Sequence, residues 1–211
     1  MLVIVDYGMG NAASIMNMIR RVNTQTTLPV CISSNPLDIE KAAAVILPGV
    51  GAFDHAMDRL HALKLVDVLV QRVRDDAVPF MGICLGMHVL FQSSEEGARS
   101  GLGLLPGTVR RFAGDAFSYN QLKIPHMGWN QVTLAGHQPM FSGLEDDARF
   151  YFVHTYHVVC DAAEHVAATC EYGYEFACAV RHENIFAVQF HPEKSHRFGM
   201  TVFNNFIGSL C

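Results

Sequence analysis

Apolar residues fall in short, nearly unbroken runs through the first ninety positions and in a looser, turn-punctuated pattern through the remainder. Leu2-Val-Ile-Val5, Pro29 to Ser33, Ala44 to Leu47 and Phe80 to Ile83 are each short enough, and apolar enough, to be strands buried on both faces. Between them Asn11 to Arg21 has helical spacing, helical stretches follow the third run as far as about Asp75, and Leu85 to Phe91 reads as a further helix. The order βαβαβαβα predicts an α/β fold, a doubly wound and mostly parallel sheet flanked by helices. In such a sheet functional loops gather at strand C-termini. From Gly107 the pattern changes. Thr108 to Phe112, Gln131 to Leu134, Tyr151 to Val153, Tyr156 to Val159, Val166 to Cys170, Phe176 to Val180 and Ile185 to Val188 make a strand-rich C-terminal half, closed by a helix over Phe198 to Leu210. Without a repeat, linker or low-complexity stretch, residues 1–211 are expected to form one domain.

Composition narrows the class. With 50% hydrophobic and 17% charged residues, a substantial core forms without disulfides. The six cysteines, Cys31, Cys84, Cys160, Cys170, Cys178 and Cys211, show no C-x-x-C pair and fit reduced thiols. A net charge of -5 with no basic run argues against a nucleic-acid surface and for a protein or small-molecule partner. The chain opens on a strand-like run, carries no basic leader and has no stretch of about 18 apolar residues, so it is expected in the cytoplasm and off the membrane.

The chemistry centres on Gly82-Ile-Cys84-Leu-Gly86, where one thiol falls on the bend between a buried strand and a helix. Side chains at positions 82 and 86 would crowd that bend, as in the G-x-S-x-G elbow of hydrolases. A helix N-terminus also favours thiolate, lowering a cysteine pKa from its usual value of about 8.5. The second piece is His191-Pro192-Glu193, directly after a strand-like run. Pro192 biases His191 toward extended backbone, where residues two apart share a face, so Glu193 can fix the tautomer of His191 and leave its other nitrogen for the thiol. The third is Leu47-Pro-Gly-Val-Gly-Ala-Phe53, a glycine-rich turn after a strand whose bare backbone N–H groups suit an oxyanion hole.

In this order the three pieces resemble the class I, triad-type glutamine amidotransferases over nearly the whole chain. The resemblance is strongest to the glutaminase subunits of imidazole glycerol phosphate synthases, through Val5-Asp-Tyr-Gly-Met-Gly-Asn11, the 47–53 and 82–87 segments, Pro125-His-Met-Gly-Trp-Asn130, Tyr151-Phe-Val-His-Thr-Tyr156 and His191-Pro-Glu-Lys-Ser195. It implies Cys84 as nucleophile, His191 as base and then acid, Glu193 as the orienting carboxylate, the N–H of Val50 or Gly51 as oxyanion donor, and glutamine as substrate. It further implies Glu96 near the glutamine amino group, Thr155 and Tyr156 near its carboxylate, and a separate cyclase subunit docked on Pro125, His126, Met127, Gly128, Trp129, Asn130 and Lys194. The 125–130 segment is expected as an exposed interface loop, with burial of Trp129 in the core as the alternative. No cofactor or metal is expected. One position departs from the resemblance: His88 stands where these proteins usually carry a substrate-contacting glutamine, so altered glutamine affinity is expected.

Other readings compete. Gly8-Met-Gly-Asn-Ala-Ala13 matches the loose dinucleotide fingerprint, but the second strand ends in Ser33-Ser34 rather than an acidic residue. His154 with His157, or His191, Glu193 and His196, make no convincing metal set, and strand alternation is expected to put His154 and His157 on opposite faces. A non-catalytic interaction subunit finds support only in His88. A paralogous amidotransferase feeding another synthase, such as one of surface-sugar biosynthesis, is suggested by Tyr156-His157 and Lys194-Ser-His-Arg-Phe-Gly-Met200.

Overall fold

The computed structural model describes residues 1–23, 28–114, 117, 122–145 and 147–210, which leaves Cys211 outside the described residues. Strands β1 (Leu2–Val5), β2 (Val30–Ser33), β3 (Ala44–Gly49) and β4 (Phe80–Cys84) alternate with helices α1 (Ala12–Val22), α2 (Pro36–Glu40), α3 (Phe53–Ala62) and α4 (Leu65–Val70). They lie side by side in the order β2-β1-β3-β4, all parallel. Leu2, Ile4, Ile46 and Met81 pack on one face against Ile15 and Ile19 of α1, while Val3, Val5, Val45 and Leu47 pack on the other against Met57 and Leu60 of α3. Burial on both faces is why β1, β3 and β4 show no polar alternation, whereas β2, expected to be buried likewise, lies at the sheet edge and is only partly covered.

The strand-rich half supplies β5 (Ser93–Ser94), β6 (Gly107–Arg111), β7 (His126–Gln131), β8 (Thr133–Leu134), β9 (Arg149–His154), β10 (Tyr156–Cys160), β11 (Val166–Tyr172), β12 (Tyr174–His182) and β13 (Ile185–Val188). β13 joins β4 in parallel, then β12, β10 and β6 extend the sheet antiparallel. The sheet is therefore mixed, parallel on the side that carries β1 to β4 and largely antiparallel beyond β13. A terminal helix, α6 (His196–Gly208), returns to pack against α1.

Three expectations change. The helix after Cys84 is a single turn, α5 (Leu85–His88); beyond it the N–H groups of Leu90 and Phe91 donate to Met87 and His88 in a tight bend. The 125–130 segment is not a loop. Residues 126–131 form β7, paired antiparallel with β9 so that His126 faces His154 and Trp129 faces Tyr151. Its period of two buries His126 and exposes Met127 and Trp129. The expected Gln131–Leu134 strand is split between β7 and β8, which lie in different sheets.

Candidate active site

Cys84 ends β4, between the C-terminal ends of β3 and β13: Gly49 lies opposite Cys84, and Val188 opposite Ile83. The backbone at Cys84 turns sharply, with φ 54° and ψ -111°. A non-glycine residue at positive φ is strained and persists only where the surroundings impose it. A Cβ at Gly82 would come within 2.7 Å of the Gly86 carbonyl oxygen, and one at Gly86 would collide with the carbonyl oxygen of Leu47. Both glycines are thus fixed by the closeness of α5 to β3 and β4.

His191 follows β13 in extended backbone, φ -101° and ψ 95°, as its proline neighbour predicts. Glu193 instead lies in a 3-10 turn over Pro192–Lys194, so the bond between the two side chains is made by a turn, not by a shared strand face. His191 Nδ1 donates to Glu193 Oε1 at 2.8 Å, with the two side chains only 3% and 5% exposed. Burial by itself would lower the pKa of His191, but the Cys84 sulfur and the Glu193 carboxylate outweigh it and raise it to about 10. Among the described residues His191 Nε2 makes no hydrogen bond, and the Cys84 sulfur acts on the ring through its charge.

The cavity in front of Cys84 holds about 290 Å³ and is lined by Val50, Gly51, Leu85, His88, Glu96, Pro125, Val153, His154, Thr155 and Tyr156. Neither Val50 nor Gly51 uses its N–H in a hydrogen bond among the described residues, and Gly51 has φ 108°. Gly10 packs against this turn, where its Cβ would lie 3.3 Å from Gly49 N, so the first glycine loop buttresses the site. Glu96 Oε2 accepts from the N–H of Phe53, and burial holds its pKa above the usual carboxylate range. Thr155 and Tyr156 are at the turn between β9 and β10.

Of the proposed docking residues, Met127 is 61% and Trp129 42% exposed, Lys194 is exposed, Gly128 and Asn130 are half-buried, and Pro125 belongs to the cavity wall. Trp129 stacks on His196, and Lys194 Nζ sits 5.6 Å from the Tyr151 ring centroid. His126 is not an interface residue. It is buried and donates from Nδ1 to His154 Nε2 at 2.9 Å, accepts from Asn130 at Nε2, and His154 Nδ1 donates to the Tyr156 carbonyl. Burial lowers the pKa of His126 to about 4 and that of His154 well below its ordinary value. Strand alternation does not separate His154 from His157, because the chain changes strands at Thr155; both rings flank Phe112, at 5.2 and 4.8 Å. Among the described residues no group of three or more His, Cys, Asp or Glu is arranged to hold a metal.

Three residues near the thiol were not anticipated. Gln189 is fully buried with its Nε2 3.8 Å from Cys84 Sγ. It is the one polar residue in an apolar run that is buried throughout, a signal that it must be hydrogen-bonded. Ser195 donates to the His191 carbonyl and accepts from Tyr151 N–H, tying the histidine turn to β9. The buried hydroxyl of Tyr7 has no hydrogen-bond partner among the described residues, and its pKa is pushed up by burial and by the Cys84 charge.

The family model for class-I glutamine amidotransferases matches residues 3–209. The chain belongs to this family. As a glutamine amidotransferase it is 46% identical over 207 residues to imidazole glycerol phosphate synthase subunit HisH 2 of Methanococcus maripaludis, with 98% of each chain covered. It is 45% identical to the subunit HisH of Bdellovibrio bacteriovorus and to HisH 2 of Pseudomonas aeruginosa, again over 98% of each chain. Solved structures share the fold at lower identity. A glutamine amidotransferase gives a TM-score of 0.70 at 19% identity, covering 99% of this chain and 98% of that one. The glutaminase domain of the Trypanosoma brucei CTPS gives 0.67 at 14% identity, covering 99% and 92%. No described helix is long and apolar enough to cross a membrane.

Proposed function

We propose that this amidotransferase is the glutaminase subunit of an imidazole glycerol phosphate synthase, releasing ammonia from glutamine for a separate cyclase subunit. The observation that carries the chemistry is a strained Cys84 at the end of β4, acting on a buried His191 whose Nδ1 is anchored on Glu193. The acceptor reading draws on near-full-length identity to subunits of that synthase.

In this reading the Cys84 thiolate adds to the side-chain carbonyl carbon of glutamine. The N–H groups of Val50 and Gly51 stabilise the oxygen that gains the negative charge, a contribution of about 3–4 kcal/mol per donor in enzymes of this type. Collapse of the tetrahedral adduct breaks the C–N bond while His191 gives its proton to the leaving nitrogen, producing ammonia and a glutamyl thioester. His191, now neutral, takes a proton from water, the resulting hydroxide attacks the thioester, and glutamate leaves as the thiolate is restored. Glu96 would hold the substrate amino group and the Thr155–Tyr156 turn its carboxylate. Met127, Trp129 and Lys194 would meet the cyclase, and free hydrolysis would be suppressed until that partner is occupied.

A second reading is a paralogue serving another synthase. It is favoured by His196, from the variant Lys194–Met200 segment, stacking on Trp129 at the proposed docking surface. The test is imidazole glycerol phosphate formation with a cyclase subunit, its phosphoribulosyl nucleotide substrate and glutamine, wild type beside Cys84→Ala. Product that requires both glutamine and Cys84 supports the first reading. No product, with the cyclase still active on ammonia, transfers the assignment to the paralogue.

A further inference from the structure

His88 occupies the position from which a contact with glutamine was expected, yet its bonded nitrogen points elsewhere. Its Nε2 lies 2.7 Å from Gln189 Oε1 in a fully buried pair, and the other end of the same amide reaches Cys84 Sγ at 3.8 Å. The three groups come from different elements: α5, the segment after β13, and the end of β4. The Gln189 backbone is fixed by its own bond from N–H to the Cys178 carbonyl, 2.8 Å long. The side-chain amide therefore has one degree of freedom that matters, which end faces the sulfur.

We infer that His88 is a positioning residue for the nucleophile: by donating its Nε2–H to Gln189 Oε1, it holds the Gln189 amide with N–H toward Cys84, where that N–H stabilises the thiolate. This deepens the triad reading and rests on it. The logic is one of donors and acceptors. A thiolate has no proton and can only accept. If Gln189 turned its Oε1 to the sulfur, two electron-rich atoms would face each other between buried side chains. A single N–H on His88 prevents this by claiming the oxygen. Burial keeps His88 neutral, with a pKa lowered to about 4, so the ring holds one N–H and the Gln189 bond decides which nitrogen carries it. The ionisable groups acting on the sulfur are His191, after β13, and Tyr7, after β1. His157 of β10 acts on His88. None of these replaces the N–H that Gln189 supplies.

The test reads the thiolate without substrate. Alkylation of the full chain by iodoacetamide is followed over a pH series, with modification at Cys84 scored by peptide mass spectrometry so that the other cysteines do not contribute. In His88→Phe, which keeps bulk and removes both nitrogens, and in Gln189→Met, the midpoint should rise by about one pH unit, a tenfold loss of thiolate below it. The double variant should rise no further, because both changes remove the same N–H. His88→Gln, which still offers an N–H to Gln189, should keep the wild-type midpoint. An unchanged midpoint in a folded His88→Phe, with only KM for glutamine raised, would overturn the inference and return His88 to the substrate. Should His88→Phe fail to fold, an unchanged midpoint in Gln189→Met overturns it equally. Failure of the triad reading looks different: the wild-type midpoint would not respond to His191→Asn.

Discussion

Replacing Glu193 by Gln removes a charge while keeping an acceptor for His191 Nδ1. The wild-type bond is 2.8 Å, and both side chains are almost wholly buried. Two unit charges about 4 Å apart interact by about 4 kcal/mol at an effective dielectric of about 20, which is about three pH units. His191 should fall from about 10 to about 7 in the variant. At pH 8 only about a tenth of the variant would then hold the imidazolium, since the pH stands about one unit above the pKa. The assay is the pH dependence of kcat/KM for glutamine in the assembled synthase, whose alkaline limb reports the loss of the acid that protonates the leaving nitrogen. That limb should move down by about three units. Stability should follow the same linkage. The folded pKa of His191 is raised, so its contribution is complete below the unfolded value of about 6.5 and is lost as pH rises through about 10. Thermal melts of wild type and variant should therefore differ below neutrality and converge above pH 10. An alkaline limb that stays in place in a folded variant refutes the claim that Glu193 holds the proton on His191.

Gly86→Ala places a methyl group against the Leu47 carbonyl and should cost about 1–3 kcal/mol, read in denaturant melts, with loss of Cys84 alkylation as the elbow shifts; an unperturbed melt contradicts the close approach of α5 to β3. The neutral buried histidines give an acid limit of opposite sign to that of His191. His88 and His126 have folded pKa values lowered to about 4, so their stabilising effect is present above about 6.5 and declines as pH falls toward about 4. Acid titration followed by near-UV dichroism should show that decline, and assigned His88 and His126 ring resonances that titrate near about 6.5 would refute it. Trp129→Ala should leave the melting temperature of the isolated chain nearly unchanged, because Trp129 is 42% exposed, while weakening cyclase binding by about 2 kcal/mol or more in calorimetry; unchanged affinity removes β7 from the docking surface.

The parallel half of the fold was legible because strands buried on both faces leave continuous apolar runs, and β1 lies over Leu2–Val5 as read. The elbow was legible because two glycines at fixed spacing around a cysteine have a steric cause, visible in the contacts at Gly82 and Gly86. The 125–130 segment was read as a loop through the resemblance alone, whereas its pairing with β9 is a long-range contact that no local window contains. The same limit hid the His126–His154 pair and the role of Gln189, whose partners are more than a hundred residues away in sequence. Glu193 was read correctly as the partner of His191, but through strand geometry, when the chain in fact turns at Pro192.

The most direct test of the account is the covalent intermediate. The assembled synthase is mixed with glutamine, quenched in acid during turnover, and the peptide containing Cys84 is weighed with and without hydroxylamine, which cleaves thioesters. The account predicts a glutamyl adduct on Cys84 that hydroxylamine releases and that Cys84→Ala abolishes together with glutamine consumption. Glutamine hydrolysis that proceeds in Cys84→Ala, or an adduct on another residue, would contradict it.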